Sequence, residues 1–283
     1  MANFSVSMHD NKEEDEMSNG RYDKTEIEAF TREVLEDGFC VLRGQFSIEK
    51  LMAWRVAFGP LFEQHVAREG HLQNRGAGRY YVTLPFAEPF ADPHFYEDED
   101  ILAVVAGLVG DDATLVQLAT DTPVLGSDYQ DIHRDAPPLF PEAGIETPPF
   151  QLAVNFPLVD VETENGPFVV ARGTHVMSKA EGLKLIESGA IKLEPITMRL
   201  GDVMIRDVRG LHRGTPNRTR VPRPMVVIGY SRHWLLRREV SIRVPRSALG
   251  DLSERARHLL RFNPIVDALA QESATEVYQS FAY

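Results

Sequence analysis

The sequence predicts a mainly β protein: an antiparallel sandwich or barrel, flanked by helices gathered towards its N-terminus. Short apolar runs with strand character recur through the last two-thirds of the 283-residue chain. Turn signals rich in Gly, Pro and Asn separate these runs, and no regular helices alternate with them, which favours antiparallel pairing. Helices that precede such a sheet pack against its outside. The predicted strands of this region are 114–120, 150–157, 168–171, 191–200, 203–207, 225–230 and 240–244.

The N-terminal third follows a helix, strand, helix order. The first helix, 25–36, has apolar residues at helical spacing, and Asp37-Gly38 ends it. The hydroxyl of Ser47 can cap the second helix. Segment 65–97 contains a strand at 80–85 and is rich in Pro and aromatic residues. We expect part of it to be either a long loop that closes over a site or a surface connection. Other predicted elements are a strand at 39–44 and helices at 98–109, 178–188 and 254–261.

Composition limits the class of protein. The net charge is −12, from 42 acidic and 30 basic residues, whereas a general nucleic-acid binder needs a basic footprint. No apolar run approaches the roughly 20 residues that span a bilayer. The single cysteine, Cys40, cannot form an intramolecular disulfide, which fits a reducing compartment. We therefore expect no nucleic acid or membrane partner and a cytoplasmic location.

The beginning of the chain differs from the rest. Residues 1–22 are polar and acidic, and the segment lacks the basic region and apolar core of a secretory signal. We expect a disordered acidic tail at 1–22. Residues 23–283 are then expected to form one catalytic domain with a substantial core.

The motif His133-x-Asp135 indicates a metal site. On an extended strand, two residues that are two positions apart point to the same face, about 7 Å apart, so an imidazole and a carboxylate can bind one ion. His212 lies 77 residues further on, directly after the predicted strand 203–207, and is the expected third ligand. Two His and one carboxylate on one face of a metal form the facial triad of non-haem Fe(II) oxygenases.

An arginine follows at a suitable place. Arg223 lies eleven residues after His212, just before the apolar run 225–230, so its side chain can point into the same barrel. Its planar guanidinium can bind both oxygens of a buried carboxylate.

The order of these motifs resembles the phytanoyl-CoA dioxygenase-like branch of the Fe(II)/2-oxoglutarate dioxygenases. The resemblance covers residues 28–235 and rests on four matches taken together. These are Gln130-x-x-His133-x-Asp135; Glu164-Asn165-Gly166-Pro167 with Arg172-Gly173-Thr174-His175; Gly201-Asp202-Val203 leading to His212; and Asn217 with Arg223.

The resemblance implies a double-stranded β-helix, or jelly roll, and a set of site residues. His133, Asp135 and His212 are expected to bind Fe(II). For the cosubstrate 2-oxoglutarate, the resemblance implies that Arg223 binds the distal carboxylate and that Gln130 donates or accepts a hydrogen bond. It also places Asn155 on a strand facing the metal pocket. One position departs from the family, because Phe168 stands where some relatives have a Thr that contacts the cosubstrate.

The implied reaction is hydroxylation of a C–H bond in a small molecule, with release of succinate and CO2. We expect a specialised metabolite as substrate; the sequence does not indicate an oligomeric state. Halogenase members of the branch have a small residue in place of the carboxylate, so Asp135 argues against halogenation. Alternatives are the same cofactor chemistry with desaturation, epoxidation, ring closure or demethylation as its outcome, or a cupin-like metal-binding protein without oxygenase activity.

Other candidate residues have simpler interpretations. We expect His175 to stabilise a turn, His233 to be a surface residue, and Arg134 to make a salt bridge outside the site. Segment 232–246 is rich in Arg; it either forms a mouth that attracts an anionic substrate or makes surface salt bridges, and we favour the salt bridges.

Overall fold

The structure is a computed structural model that describes residues 20–69, 76–143, 147–237 and 241–269. Most of the predicted tail, residues 1–19, lies outside the described residues. Its last residues do not: the backbone N–H groups of Arg21 and Tyr22 donate to the buried Asp100 carboxylate, at 2.9 and 3.2 Å. The packed chain therefore begins before the predicted boundary at residue 22, because the buried Asp100 carboxylate accepts hydrogen bonds from the backbone of residues 21 and 22.

The predicted helices are present, with small shifts of their ends. The first begins at a capping box, in which Asp23 and Glu26 each accept from the other's backbone N–H, and it ends at Gly38 in the left-handed conformation. No helix in the described ranges combines the length and the apolar character that crossing a membrane requires. The helices are α1 Lys24–Asp37, α2 Ile48–Glu69, α3 Pro93–Tyr96, α4 Glu99–Val109, α5 Lys179–Glu187 and α6 Glu254–Leu260.

The strands form one large and one small antiparallel sheet, together with a short parallel pair, β10–β11. The large sheet has the order β1-β7-β4-β9-β3-β2, and the small sheet has the order β6-β5-β8. Except for β2–β3 and β5–β6, neighbouring strands in these two sheets are not consecutive in the sequence. The strands are β1 Phe39–Leu42, β2 Arg79–Thr83, β3 Thr114–Pro123, β4 Gln151–Pro157, β5 Phe168–Ala171, β6 Leu193–Ile196, β7 Val203–Asp207, β8 His212–Gly214, β9 Met225–Ser231, β10 Val244–Pro245 and β11 Ile265–Val266.

The two faces of the large sheet have different environments. On β4, Leu152, Val154 and Phe156 pack with the helices in the main apolar core, whereas Ala153 and Asn155 face an internal cavity. This alternation follows from the two-residue period of a strand. Strands β7 and β9 alternate in the same way, so the central strands present every second side chain to the cavity.

The small sheet closes the other side of this cavity. Val170 of β5 and Ile196 of β6 pack in one apolar cluster with Met204 of β7 and Met225 of β9. Two antiparallel sheets thus face each other, with helices on the outside of the larger one, and the predicted jelly roll is confirmed.

The aromatic part of segment 65–97 lies in the core rather than in a loop over the site, and residues 70–75 of the segment lie outside the described residues. Helix α2 continues to residue 69, and Phe90 and Phe95 pack on Trp54 with ring centroids 5.1 and 4.5 Å apart. These aromatic rings are buried in the core between helices and sheet. The apolar area that they remove from water explains this placement.

The junction between α1 and β1 requires glycine at position 38, and a substitution there tests this requirement. Its φ is 91°, and a Cβ atom there would lie 2.9 Å from Nδ1 of His175. We expect Gly38→Ala to lower the free energy of unfolding by about 1–3 kcal/mol, measured by urea denaturation.

The matched control is Gly59→Ala in α2, where a Cβ atom would meet nothing within 4 Å. That variant should be unchanged or up to about 1 kcal/mol more stable, because Ala is the better helix former. Equal stability of Gly38→Ala and wild type would contradict the strain described at Gly38.

Candidate metal centre

His133 and His212 lie directly opposite each other. The N–H of His133 donates to the carbonyl of His212 at 3.0 Å, and the N–H of His212 donates to the carbonyl of His133 at 3.1 Å. Their ring centroids are 4.4 Å apart. His212 begins β8, but His133 belongs to an isolated bridge rather than to the regular strand that we predicted. The pairing is nevertheless the one that brings the two imidazoles together.

Backbone carbonyls fix the orientation of both imidazole rings. Nδ1 of His133 is 2.8 Å from the carbonyl oxygen of Asp131, and Nδ1 of His212 is 2.9 Å from that of Gly210. Because a carbonyl only accepts, each Nδ1 carries the hydrogen and each Nε2 keeps a lone pair. Each Nε2 atom can therefore donate its lone pair to a metal.

Asp135 completes a set of three possible ligands. Its Oδ1 lies 3.6 Å from Nε2 of His133 and 3.5 Å from Nε2 of His212. Ligand atoms at right angles around an ion, each about 2.1 Å from it, are about 3 Å apart, so a small contraction suffices to bind one ion. Within the described ranges this is the one group of three or more His, Cys, Asp or Glu with such spacing.

The protonation states suit a metal. Burial lowers the pKa of His212 to about 4, although the Asp135 carboxylate opposes this shift, so the imidazole is neutral at physiological pH. Burial alone would raise the pKa of Asp135, but the Arg206 guanidinium holds it well below its ordinary value. Ligands must be deprotonated to bind, and His212 and Asp135 both are at neutral pH.

Arg206 is the residue of this site that sequence reasoning missed. Its Nη2 is 2.5 Å from Oδ2 of Asp135, and its Nε donates to Oδ1 of Asn155 at 3.0 Å. A signal was available, because Arg206 alternates with Val203 and Ile205 in an apolar strand and shares the inner face with Met204. An arginine on the inner face of a buried strand indicates a buried partner of opposite charge.

Arg223 is a second buried cation in the same cavity. It is 2% exposed, its Nη2 donates to the carbonyl of Gly166 at 2.6 Å, and its Nε is buried without a hydrogen-bond partner among the described residues. Burial lowers its pKa to about 10, partly offset by the carboxylate of Asp121. Arg223 therefore stays protonated at neutral pH and has an unused N–H, which suits an anionic ligand.

Six residues singled out in the sequence line one cavity. They are His133, Asp135, His212, Gln130, Asn155 and Arg223.

Two of the six have much of their hydrogen-bonding capacity used by the protein itself. The Oε1 of Gln130 accepts from the N–H of Gly214 at 3.0 Å, and Nδ2 of Asn155 donates to the carbonyl of Val226 at 3.1 Å. A direct contact of either residue with a cosubstrate stays a prediction.

The family-like motifs outside the ligand set support the site. Gly166 has a φ of 84°, and a Cβ atom there would lie 2.7 Å from the carbonyl oxygen of Thr215. The hydroxyl of Thr174 accepts from the N–H of Leu211, next to His212. These close contacts hold the segments that carry Arg223 and His212.

Phe168, at the departure from the family pattern, contacts the site through its ring. The ring centroid is 4.6 Å from that of His212, and the Arg206 guanidinium lies 5.0 Å from it. Phe168 therefore packs against both a metal-site imidazole and the arginine that holds Asp135.

The remaining candidates lie outside the ligand set. His175 hydrogen-bonds the carbonyl of Leu35 at 3.1 Å, a structural contact as expected. His233 is half exposed and pairs with Asp112. Arg134 is buried and donates to the carbonyls of Thr174 and Met177, because the strand-like alternation turns it away from its neighbours His133 and Asp135.

The Arg-rich segment 232–246 contains residues that fit each of the two interpretations, surface salt bridges and a positively charged site for an anionic substrate. Arg246 makes an exposed ion pair with Asp267 at 2.9 Å, as a surface salt bridge would. Arg237 instead lines the metal cavity and donates to the carbonyl of Asp135 at 3.0 Å. Arg238 lies outside the described residues.

Solved structures of similar fold include two enzymes from nogalamycin biosynthesis. The epimerase SnoN, in complex with Fe3+, alpha ketoglutarate and nogalamycin RO, matches with a TM-score of 0.56 at 18% identity, covering 74% of this chain and 84% of SnoN. HygX from Streptomyces hygroscopicus, with nickel, 2-oxoglutarate and hygromycin B bound, matches with a TM-score of 0.54 at 19% identity, covering 74% and 88%. The carbocyclase SnoK from nogalamycin biosynthesis has a TM-score of 0.51 at 16% identity, covering 75% and 84%. These similarities establish the shared fold.

The family is established by the sequence itself. The profile of the family described as phytanoyl-CoA dioxygenase (PhyH) matches residues 34–225, which is more than half of the chain. The matched range contains the three clustered ligands and Arg223. The chain belongs to the phytanoyl-CoA dioxygenase family and is an Fe(II)- and 2-oxoglutarate-dependent oxidoreductase.

Proposed function

We propose that this enzyme hydroxylates a C–H bond of a small molecule, a specialised metabolite, while 2-oxoglutarate is converted to succinate and CO2. The observation that carries the proposal is the single cavity lined both by His133, Asp135 and His212 and by the buried Arg223. A metal site alone would need no buried cation beyond Arg206, which pairs with the ligand Asp135. A dicarboxylate that binds the metal at one end and Arg223 at the other accounts for both the ligand cluster and the buried arginine.

Each residue has a defined task in this proposal. Nε2 of His133, Nε2 of His212 and Oδ1 of Asp135 would hold the ion. When bound, Fe(II) together with 2-oxoglutarate and O2 supplies the oxidant that removes hydrogen from the substrate. Arg223 binds the distal carboxylate of the cosubstrate and thereby orients its other end towards the metal. The apolar side chains of the cavity exclude water from the reacting groups.

The size of the cavities supports a small-molecule substrate. The cavity at the metal ligands measures about 70 Å³, and a second cavity of about 350 Å³ shares Arg237 with it. At roughly 10–15 Å³ per water-sized group, the first has room for about six such groups and the second for more than twenty. The second cavity is largely apolar, lined by Leu115, Val116, Leu236 and Phe262 among others. Because 2-oxoglutarate has about ten non-hydrogen atoms, we infer that it fills the first cavity and displaces the side chains around it, and that part of the substrate occupies the second.

Related folds suggest a specialised metabolite. The structures of SnoN and HygX hold nogalamycin RO and hygromycin B, respectively, and both are elaborate small molecules. Among the outcomes open to this cofactor chemistry, we propose hydroxylation, while the names of SnoN and SnoK indicate epimerisation and ring formation on the same fold. Asp135 provides the carboxylate ligand, which argues against halogenation.

A substrate screen tests the proposed reaction. Purified protein with Fe(II), 2-oxoglutarate, O2 and a library of specialised metabolites should release succinate in proportion to a product that has gained one oxygen atom from isotopically labelled O2. Asp135→Ala and His212→Ala should reduce release to background, because each removes a proposed metal ligand. Full activity of Asp135→Ala would refute the ligand assignment, and a product without added oxygen would refute hydroxylation.

Arg223→Ala separates cosubstrate binding from metal binding. Loss of charge-assisted hydrogen bonds worth about 1.5–3 kcal/mol should weaken 2-oxoglutarate binding about 10- to 100-fold, measured by anaerobic titration, while metal affinity changes little.

Arg199→Ala is the control for that variant, because Arg199 is 75% exposed and pairs with Asp160 away from the cavity. It should leave both affinities unchanged. An unchanged affinity of Arg223→Ala for 2-oxoglutarate would contradict the role of Arg223.

A further inference from the structure

The two carboxylate oxygens of Asp135 have different surroundings. Oδ1 lies within 3.6 Å of the Nε2 atoms of both His133 and His212, so it is on the side where a metal would bind. Oδ2 lies 2.5 Å from Nη2 of Arg206. A charge-assisted hydrogen bond of this length occupies Oδ2, and Oδ1 is left as the ligand atom.

Arg206 is itself held by several elements of the large sheet. It lies on β7, its Nε donates to Asn155 of β4, and Nδ2 of Asn155 donates to the carbonyl of Val226 on β9. Its guanidinium also lies 5.0 Å from the ring of Phe168 on the small sheet, and the residue is 8% exposed. Three neighbouring strands thus fix the guanidinium through hydrogen bonds and buried packing.

Asp135 depends on this support more than the two histidines do. Its backbone N–H donates to the carbonyl of Val208, but it lies outside every named strand. The histidines are paired through their backbones and oriented through Nδ1, whereas the carboxylate side chain could rotate about its own bonds. The hydrogen bond to Oδ2 comes from Arg206 on β7, a strand that is paired with β1 on one side and β4 on the other.

We propose that Arg206 is a positioning residue that keeps Asp135 a one-oxygen ligand of the metal. In an octahedral site, three single-atom protein ligands leave three positions for the reactants. A carboxylate that binds through both oxygens takes one of these positions away. By occupying Oδ2, Arg206 preserves the position that the cosubstrate and its co-reactant need. This inference rests on the proposed ligand set.

The test uses Co(II) as a spectroscopic probe, because its visible absorption responds to the number and arrangement of ligand atoms. Arg206→Met removes every donor while keeping an unbranched side chain of similar reach. We expect an altered Co(II) spectrum before any cosubstrate is added, and a 10- to 100-fold weaker binding of 2-oxoglutarate to the Co(II) protein. Arg206→Lys retains the charge and one donor, and should restore most of both properties.

Arg172→Met is the matched control. Arg172 also pairs with an aspartate, Asp37, at 2.6 Å, and its guanidinium also lies over a phenylalanine ring, that of Phe39, at 4.7 Å. It does not line the metal cavity. Its loss should leave the Co(II) spectrum and the 2-oxoglutarate affinity within about twofold of wild type.

Three results would overturn the proposal: a wild-type spectrum and cosubstrate affinity in Arg206→Met, the same spectral change in Arg172→Met, or no recovery in Arg206→Lys. If circular dichroism shows that Arg206→Met does not fold, Arg206→Gln carries the same expectation, because its amide can still reach Asn155. Failure of the wild-type Co(II) protein to bind 2-oxoglutarate would refute the proposed function instead, and the spectra alone would then decide the role of Arg206.

Discussion

The site depends on one reciprocal backbone contact, the pair of hydrogen bonds between His133 and His212. These two residues are far apart in the chain, and His133 belongs to no regular strand. Their bridge places both imidazoles on one side, and the carbonyls of Asp131 and Gly210 then set which nitrogen of each ring is available. Without the bridge, neither ring would have a fixed partner. The small sheet and the turn at Gly210 act on the site through this contact, whereas the large sheet acts on it through Arg206.

A second constraint is the burial of charge. Arg206, Arg223 and Asp135 lie in a cavity whose other wall residues include apolar side chains. Removing one partner of a buried ion pair costs about 3–5 kcal/mol, because the other charge is left unpaired in a medium of low polarity. Arg206 has Asp135 as its partner in the protein. Among the described residues, Arg223 donates to the carbonyl of Gly166 and its buried Nε has no hydrogen-bond partner, so its charge is better satisfied by a ligand than by the protein alone.

Much of the fold followed from the sequence because strand periodicity and turn residues are local signals. The strands 168–171 and 203–207 were predicted with the bounds they have, and the caps at Asp98 and Ser178 lie where the helix ends were expected. Three features were not accessible in this way. His133 pairs through a single bridge, the aromatic rings at 90 and 95 turn into the core, and Arg206 faces Asp135 across 71 residues of sequence. Each of these depends on long-range packing, which no local pattern reports.

The resemblance added what periodicity could not, since it linked His212 and Arg223 to His133 before any contact was known. It did not include Arg206, because none of the matched motifs contains that residue. Residues of this kind are found from hydrogen-bond geometry. In this chain the geometry connects the Asp135 carboxylate, through Arg206, to Asn155, which the sequence placed on a strand facing the metal pocket.

The most direct test of the account is the position of iron in crystals grown without oxygen in the presence of Fe(II) and 2-oxoglutarate. An anomalous difference map at the iron absorption edge should show one peak between Nε2 of His133, Oδ1 of Asp135 and Nε2 of His212, with the distal carboxylate of 2-oxoglutarate against Arg223. A peak at any other place, or a cosubstrate that does not contact Arg223, would contradict the site described for this protein.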